Sequence, residues 1–307
     1  MSRVLVLFMD GVGLGEPDPV RNPLAAASMP TLERLLAGRR LTHPAVPFEG
    51  ERASLAAVDA CLGVPGLPQS ASGQAALLTG RNVPVEIGEH YGPKPNPAII
   101  AILQQDNLFL RARACGKSAA LLNAYPPRYF DAIRTRRRIY SSIPLAVTAA
   151  GIPLRTADDL RHGQALSADF TGEGWLAQPG FPPAPTYPPA AAGRLWGQLA
   201  RQVDMAWFDY WLSDYAGHRG TLEQAVDLLQ SLDAVLAGLI ETWDTSRDLI
   251  VVTSDHGNLE DLQARSHTRN LVPALVIGPR SARREFLDGL GDLTGFAPAI
   301  LKALGGT

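Results

Sequence analysis

The chain has 307 residues, with 28 Lys and Arg against 30 Asp and Glu, for a formal net charge of −2. That balance removes the electrostatic case for a nucleic-acid partner, since releasing counterions from phosphates needs a basic excess. No apolar run approaches a membrane span, and the first, six residues long, is too short for a signal-peptide core, so a soluble cytoplasmic protein is expected.

Residues 4–9 (Val-Leu-Val-Leu-Phe-Met) are apolar throughout, as a parallel strand buried on both faces should be, and they run into Asp10. Gly11, Gly13 and Gly15 then allow a sharp turn. Met29 to Leu36 predicts a helix, with Ser28 as cap and Pro30 in the first turn. A second helix is predicted from Ser70, and a third over Pro97 to Cys115, ended by Gly116. Lys117 to Ala124 is a predicted strand that Pro126-Pro127 breaks. The two cysteines, Cys61 and Cys115, sit in apolar stretches and are expected as buried thiols.

Residues 127–175 are mixed, with arginines at 134, 136, 137 and 138. Pro179 to Pro189 holds six prolines in eleven residues, a composition for an extended linker. Met205 to Leu212 is a predicted strand, and Trp207 to Trp211 is expected to pack in the core. Thr221 to Trp243 is a predicted amphipathic helix opened by Thr221 and Gln224 at capping-box spacing. Leu249 to Thr253 and Ala274 to Ile277 are predicted strands, and Ala297 to Leu304 a closing helix. The expected fold is α/β: a mostly parallel sheet sandwiched by helices, with a small inserted cap. The core is expected over 1–126 and 190–307, and the cap over 127–189.

Three Asp and three His stand at or beside the strand ends: Asp10, Asp214, His218, Asp255, His256 and His267. Open α/β sheets gather ligands and chemistry there. Six such donors exceed one tetrahedral site and suit two metals sharing a nucleophile. Asp214 and His218 are four apart and converge if the stretch is helical; His267 can supply a third ligand. Asp255 and His256 are adjacent and both serve only on a turn, which Gly257 and Asn258 supply. Asp10 can complete that second set. Ser70 is the candidate nucleophile: an apolar helix-like run follows it, and a helix N-terminus favours an anion such as phosphate. A serine hydroxyl on a metal loses its proton far more readily than a free one. His43, His90 and His162 match no ligand element.

These residues resemble the alkaline phosphatase superfamily, in its branch of cofactor-independent phosphoglycerate mutase and phosphopentomutase. Phe8-Met9-Asp10-Gly11-Val12-Gly13 is similar to that branch's first metal-binding strand. Asp214-Tyr215-Ala216-Gly217-His218 resembles its Asp-x-x-Gly-His element, Asp255-His256-Gly257-Asn258 its Asp-His-Gly-Asn element, and His267-Thr268 with Val272-Pro273 its His-Thr…Val-Pro element. The resemblance covers about 1–126 and 200–307. It implies one metal on Asp214, His218 and His267, another on Asp10, Asp255, His256 and Ser70, and manganese or zinc as the ions. The sequence departs from the branch at Gly73-Gln74, where the mutases carry Gly-His, and in its short insert.

The leading expectation is a two-metal enzyme that hydrolyses a small phosphate ester through a phosphoserine at Ser70, with diesters and phosphonates open to the same core. A phosphomutase is the alternative, and a metal-binding protein without catalysis a further one. Lys94, Arg81 and Arg128, near or after the active edge, are candidate substrate contacts. The Arg134 to Arg138 group is either a substrate grip or a solvated face.

Overall fold

Every side chain of β1 (Val4–Met9) is buried. Its alternate residues feed two separate cores: Val4, Val6 and Phe8 join one apolar cluster, Leu5, Leu7 and Met9 another. A strand apolar on both faces needs cover on both, at about 1.5–3 kcal/mol per large side chain buried. β1 accordingly lies inside a seven-stranded sheet. The structure, a computed structural model, describes residues 2–306.

The strands are β1, β2 (Phe48–Glu49), β3 (Ala53–Val58), β4 (Ala119–Leu121), β5 (Ala124–Tyr125), β6 (Arg155–Thr156), β7 (Met205–Tyr210), β8 (Leu249–Thr253) and β9 (Val272–Ile277). The main sheet runs β2-β3-β9-β8-β1-β7-β4, and β5 pairs with β6 apart from it. The stretch β8-β1-β7-β4 is parallel, and β2, β3 and β9 complete the sheet with antiparallel pairs. Helices flank both faces, giving the expected α/β class. The long Leu222–Thr242 helix and the Pro189–Ala200 helix belong to one core; the Ser70–Thr79, Pro97–Gln105 and Leu108–Ala114 helices belong to the other.

Register brings the chemistry to one edge. Phe8 pairs with Asp209 on one side and Thr253 on the other, so β1, β7 and β8 end level. β9 is antiparallel to β8, with Ala274 opposite Thr253, so the chain enters β9 at that same edge. β3 leaves there too, because Val58 lies opposite Val272. The segments after β1, β7, β8 and β3, and the one before β9, therefore share one end of the sheet.

Several local expectations are corrected. The predicted helix from Pro97 to Cys115 is two, because the Asn107 side chain accepts from the N–H groups of Phe109 and Leu110 and starts a new one. Ser28 is not the cap of its helix, which begins at Pro30 with Met29 at the cap position. Lys117 to Ala124 is not one strand but β4 and the start of β5. Cys115 is exposed and Cys61 half-buried, since each lies at the end of its apolar stretch rather than within it. Thr221 and Gln224 form the expected capping box.

Within 127–189, the Ser142–Ala149 helix packs into the main core, and its Ser142 hydroxyl donates to the Ala71 carbonyl at 3.0 Å. Ala157, Leu160, Ala165 and Trp175 instead make a small cluster of their own with Ala124. The proline-rich stretch before Pro189 carries no helix or strand. No helix among the described residues is long and apolar enough to cross a membrane.

Candidate metal and nucleophile site

The turn after β1 places Asp10, and the turn after β8 places Asp255 and His256. His256 Nε2 lies 3.3 Å from Asp10 Oδ1 and 3.7 Å from Asp255 Oδ2. Gln74, on the Ser70–Thr79 helix, donates from Nε2 to Asp255 Oδ2 at 3.1 Å and to Asp10 Oδ2 at 3.3 Å. Ser70 opens that helix, and its Oγ is 3.0 Å from His256 Nε2. These five side chains are buried and make an inner cluster.

An outer cluster stands beside it. The Leu212–Arg219 helix brings Asp214 Oδ1 and His218 Nε2 to 3.4 Å, as four-residue spacing allows. His267 Nε2 is 3.8 Å from Asp214 Oδ1 and 3.3 Å from His218 Nε2. The His267 ring stacks on His256 with centroids 3.7 Å apart, which joins the two clusters. His267 Nδ1 is 2.6 Å from the Pro68 carbonyl. Donation there fixes the tautomer and leaves Nε2 as a free lone pair, the arrangement metal-ligating histidines favour.

Glycine makes the close approach possible. Gly11 has φ +68°, and a Cβ on it would stand 2.6 Å from Asp214 Oδ1. Side chains outside the two clusters fix the turns. Asn258 Nδ2 donates to Asp214 Oδ1 at 2.6 Å, and Ser254 Oγ donates to the His256 carbonyl at 2.9 Å. Buried Glu260 accepts from the N–H groups of Gly13 and Asn258, both at 2.8 Å, and from Asn270 and Thr268. One carboxylate thus ties together the β1 turn, the β8 turn and the loop into β9. Sequence reasoning missed Glu260; its only signal is its place two residues beyond Asn258.

Electrostatics separate the clusters. Burial, with Asp255 beside it, raises the Asp10 carboxyl to about 7. Burial also raises Asp255. Burial opposes a charge on His256, but Asp255, Asp10 and Asp214 outweigh it and push its pKa up to about 10. His267 moves the other way, to about 4, because of burial and then the neighbouring His256. Two buried carboxylates favour a positive partner, and Asp10 Oδ1 is a buried acceptor without a hydrogen bond. Asp10, Asp255 and His256 converge closely enough for one ion, and so do Asp214, His256 and His267. The Asp, His and hydroxyl donors suit a divalent cation.

The substrate candidates fare differently. Lys94 is half-buried, and its pKa is lowered by burial and by Arg138, with Asp209 and Asp10 pulling the other way. Arg81 instead forms an ion pair with Glu86. Arg128 lies over the Phe181 ring at 4.2 Å and donates to the Pro179 carbonyl. Both guanidiniums are thus engaged away from the clusters. Arg134 pairs with Asp131, and residues 134–138 are exposed, while Arg138 lies over the Tyr129 ring at 4.9 Å and its charge reaches Lys94. Trp207 is fully buried, but Trp211 is not core: it is 45% exposed, because the chain turns out of the sheet into a helix just there. Asp209, which sequence reasoning passed over, is buried within β7; burial and Asp10 raise it to about 8, and its Oδ1 has no hydrogen bond.

A family profile described as the metalloenzyme superfamily matches residues 195–306. The 2,3-bisphosphoglycerate-independent phosphoglycerate mutase of Thiobacillus denitrificans is 32% identical over 113 residues, 34% of this chain and 21% of that protein. Across the curated relatives of that name, the matched stretch spans between 21% and 29% of their length. Among solved structures, the PH0037 protein of Pyrococcus horikoshii aligns with a TM-score of 0.58 at 15% identity, covering 99% of this chain and 97% of that one. The alkaline phosphatase of the Antarctic bacterium TAB5 aligns at 0.54 and 14% identity, covering 99% and 98%. At these identities the structural likeness speaks for the fold.

Proposed function

We propose that the chain is a member of the metalloenzyme branch of the alkaline phosphatase superfamily and hydrolyses a small phosphate ester through Ser70. The observation that carries this reading is the convergence of Ser70 Oγ, the inner cluster and the outer cluster at one sheet edge. The proposed ligands are Asp214, His218 and His267 for one ion, and Asp10, Asp255, His256 and Ser70 for the other, with manganese or zinc as the candidates. Two divalent ions bound there supply Lewis-acid stabilisation of the oxygens around phosphorus.

The rest falls to the chain's own groups. The helix N-terminus at Ser70 presents backbone N–H groups and a positive dipole end to the phosphoryl group. His256 holds Ser70 Oγ toward the inner cluster. Oγ forms a bond to phosphorus as the bond to the leaving alkoxide breaks; the serine proton and the alkoxide end as free alcohol. Water then cleaves the phosphoserine, returning the hydroxyl and releasing inorganic phosphate. Lys94 and Asp209 lie on the Asp10 side of the site and are proposed to bear on the leaving group.

Hydrolysis is preferred to isomerisation because Arg81, Arg128 and Arg134 are engaged elsewhere, leaving Arg138, whose charge reaches Lys94, to face the site from the cap. A mutase must keep its phosphorylated form from water while the acceptor reorients. We propose that residues 127–189 cap a core of 1–126 and 190–307, with the Ser142–Ala149 helix shared with that core. The names of the sequence relatives favour the second reading, a phosphomutase. The test is an assay of manganese- and zinc-loaded protein on phosphate monoesters, diesters and sugar phosphates, scoring free phosphate and isomerised product together. Free phosphate that disappears in Ser70→Ala supports hydrolysis through Ser70. Isomerised product without free phosphate overturns it in favour of the mutase.

A further inference from the structure

A cavity of 560 Å³ is lined by Asp10, Asp214 and His218 together with Trp211, Tyr215 and Arg219. Its size is that of a small-molecule site, well beyond a lone phosphoryl group. Trp211 and Tyr215 are 45% and 54% exposed, among the most exposed large apolar side chains of the molecule. The Tyr215 N–H donates to the Trp211 carbonyl, so the two rings stand one helical turn apart on the same face. Arg219 lies 5.7 Å over the Tyr215 ring and adds a cation to the rim. The other four tryptophans, Trp175, Trp196, Trp207 and Trp243, are at most 5% exposed. The chain therefore buries its indoles everywhere except beside the candidate metal site, and there the indole shares a cavity wall with Asp10 and Asp214.

We propose that Trp211 and Tyr215 form a stacking platform that selects phosphate esters whose leaving group carries a ring, a nucleoside or a cyclic sugar, over acyclic ones. This rests on the phosphoryl-transfer reading and names its substrate class. The chemistry is general: an aromatic face attracts the π-face of a base or the apolar face of a sugar ring, and a tryptophan at a wet rim offers both contact area and an indole N–H. The two clusters take the phosphoryl end while the ring lies against Trp211 and Tyr215 on the cavity lining.

Because Trp211 is the one exposed tryptophan, emission quenched by acrylamide reports on it. Metal-loaded Ser70→Ala protein is titrated with adenosine monophosphate, a cyclic hexose 6-phosphate and glycerol 3-phosphate. The expected result is that one or both ring-bearing ligands shield that emission and glycerol 3-phosphate does not; the stronger of the two identifies base or sugar. In the otherwise native, metal-loaded enzyme, Trp211→Ala is expected to raise KM for the preferred ring-bearing ester by roughly tenfold. It should leave kcat/KM for glycerol 3-phosphate unchanged, and Trp211→Phe should restore most of the loss. Equal shielding by all three ligands, or an equal loss on every ester, overturns the proposal. So does shielding that grows with protein concentration alone, which marks the aromatic face as a contact between copies. The two readings fail separately: shielding by rings without turnover of any ester removes phosphoryl transfer, and turnover blind to rings removes the platform.

Discussion

The inner and outer clusters use the same kinds of side chain and meet opposite fates. Asp10, Asp255 and His256 are buried, and burial with mutual repulsion pushes Asp10 to about 7 while the carboxylates push His256 to about 10. Asp214 and His218 stand at a cavity wall, where their side chains are 20% and 35% exposed, and His267 beside them is driven down to about 4. Two carboxylates and one histidine, largely buried, attract any cation. The outer cluster offers imidazole nitrogens from two histidines in place of a second carboxylate. The difference teaches that the inner site is built around charge and the outer around coordination geometry. Loss of a ligand should therefore hurt the inner site more.

The largest expected effect breaks the link between the inner cluster and chemistry. Ser70→Ala should lower kcat on the best ester by on the order of 10⁴ or more, as loss of a covalent nucleophile does, while the protein still takes up metal. Phosphate release followed beside metal content by elemental analysis checks both halves. Retained turnover with full metal content would sink Ser70 as nucleophile.

Next come the proposed metal ligands. Asp255→Asn removes an inner charge, and His218→Ala an outer lone pair. Tighter dependence on the inner site predicts that Asp255→Asn loses more metal than His218→Ala at equal free manganese. Competitive chelator titration measures this, and the reverse order would break the comparison. Glu260→Gln keeps the size of a side chain that touches no ligand directly, yet it weakens four hydrogen bonds that set three turns. Residues supporting ligands in this way are typically worth about 10- to 100-fold in metal affinity. A fall of that size, with little change in thermal stability of the metal-free protein, is the expected outcome.

How much of this was legible in sequence follows from which forces write themselves locally. Asp10, Asp255 and His256 end apolar strands, and parallel pairing of β1 with β7 and β8 levels those ends, so strand order alone predicts their meeting. Asp214 and His218 carry helical spacing in the sequence itself. Glu260 was not legible, because its partners Gly13 and Thr268 come from segments far apart along the chain. Asp209 was hidden inside an apolar run, where a single Asp carries no period. The split at Asn107 lay in a capping bond that helix propensity over 97–115 masks. Trp211 read as core because it adjoins β7; only the turn of the chain past Tyr210 exposes it.

The smallest expected effect sharpens the comparison without touching a ligand. Asp209 neighbours the inner cluster, and burial with the Asp10 charge raises it from 3.8 to about 8 in the folded protein. Its folded form holds a proton that the unfolded chain releases near pH 4. The stability it contributes is therefore complete below about 4 and is lost as pH rises through 8. Metal-free protein should melt several degrees lower at pH 9 than at pH 5, in line with the few degrees per kcal/mol typical of large domains. Asp209→Asn should flatten that dependence, since the amide carries no proton to lose. Manganese should flatten it too, because a cation among Asp10 and Asp255 reduces the field that Asp209 feels. If Asp209→Asn melts with an unchanged pH slope, the slope belongs to Asp10 and Asp255 themselves, and the charge that defines the inner site ends at its ligands.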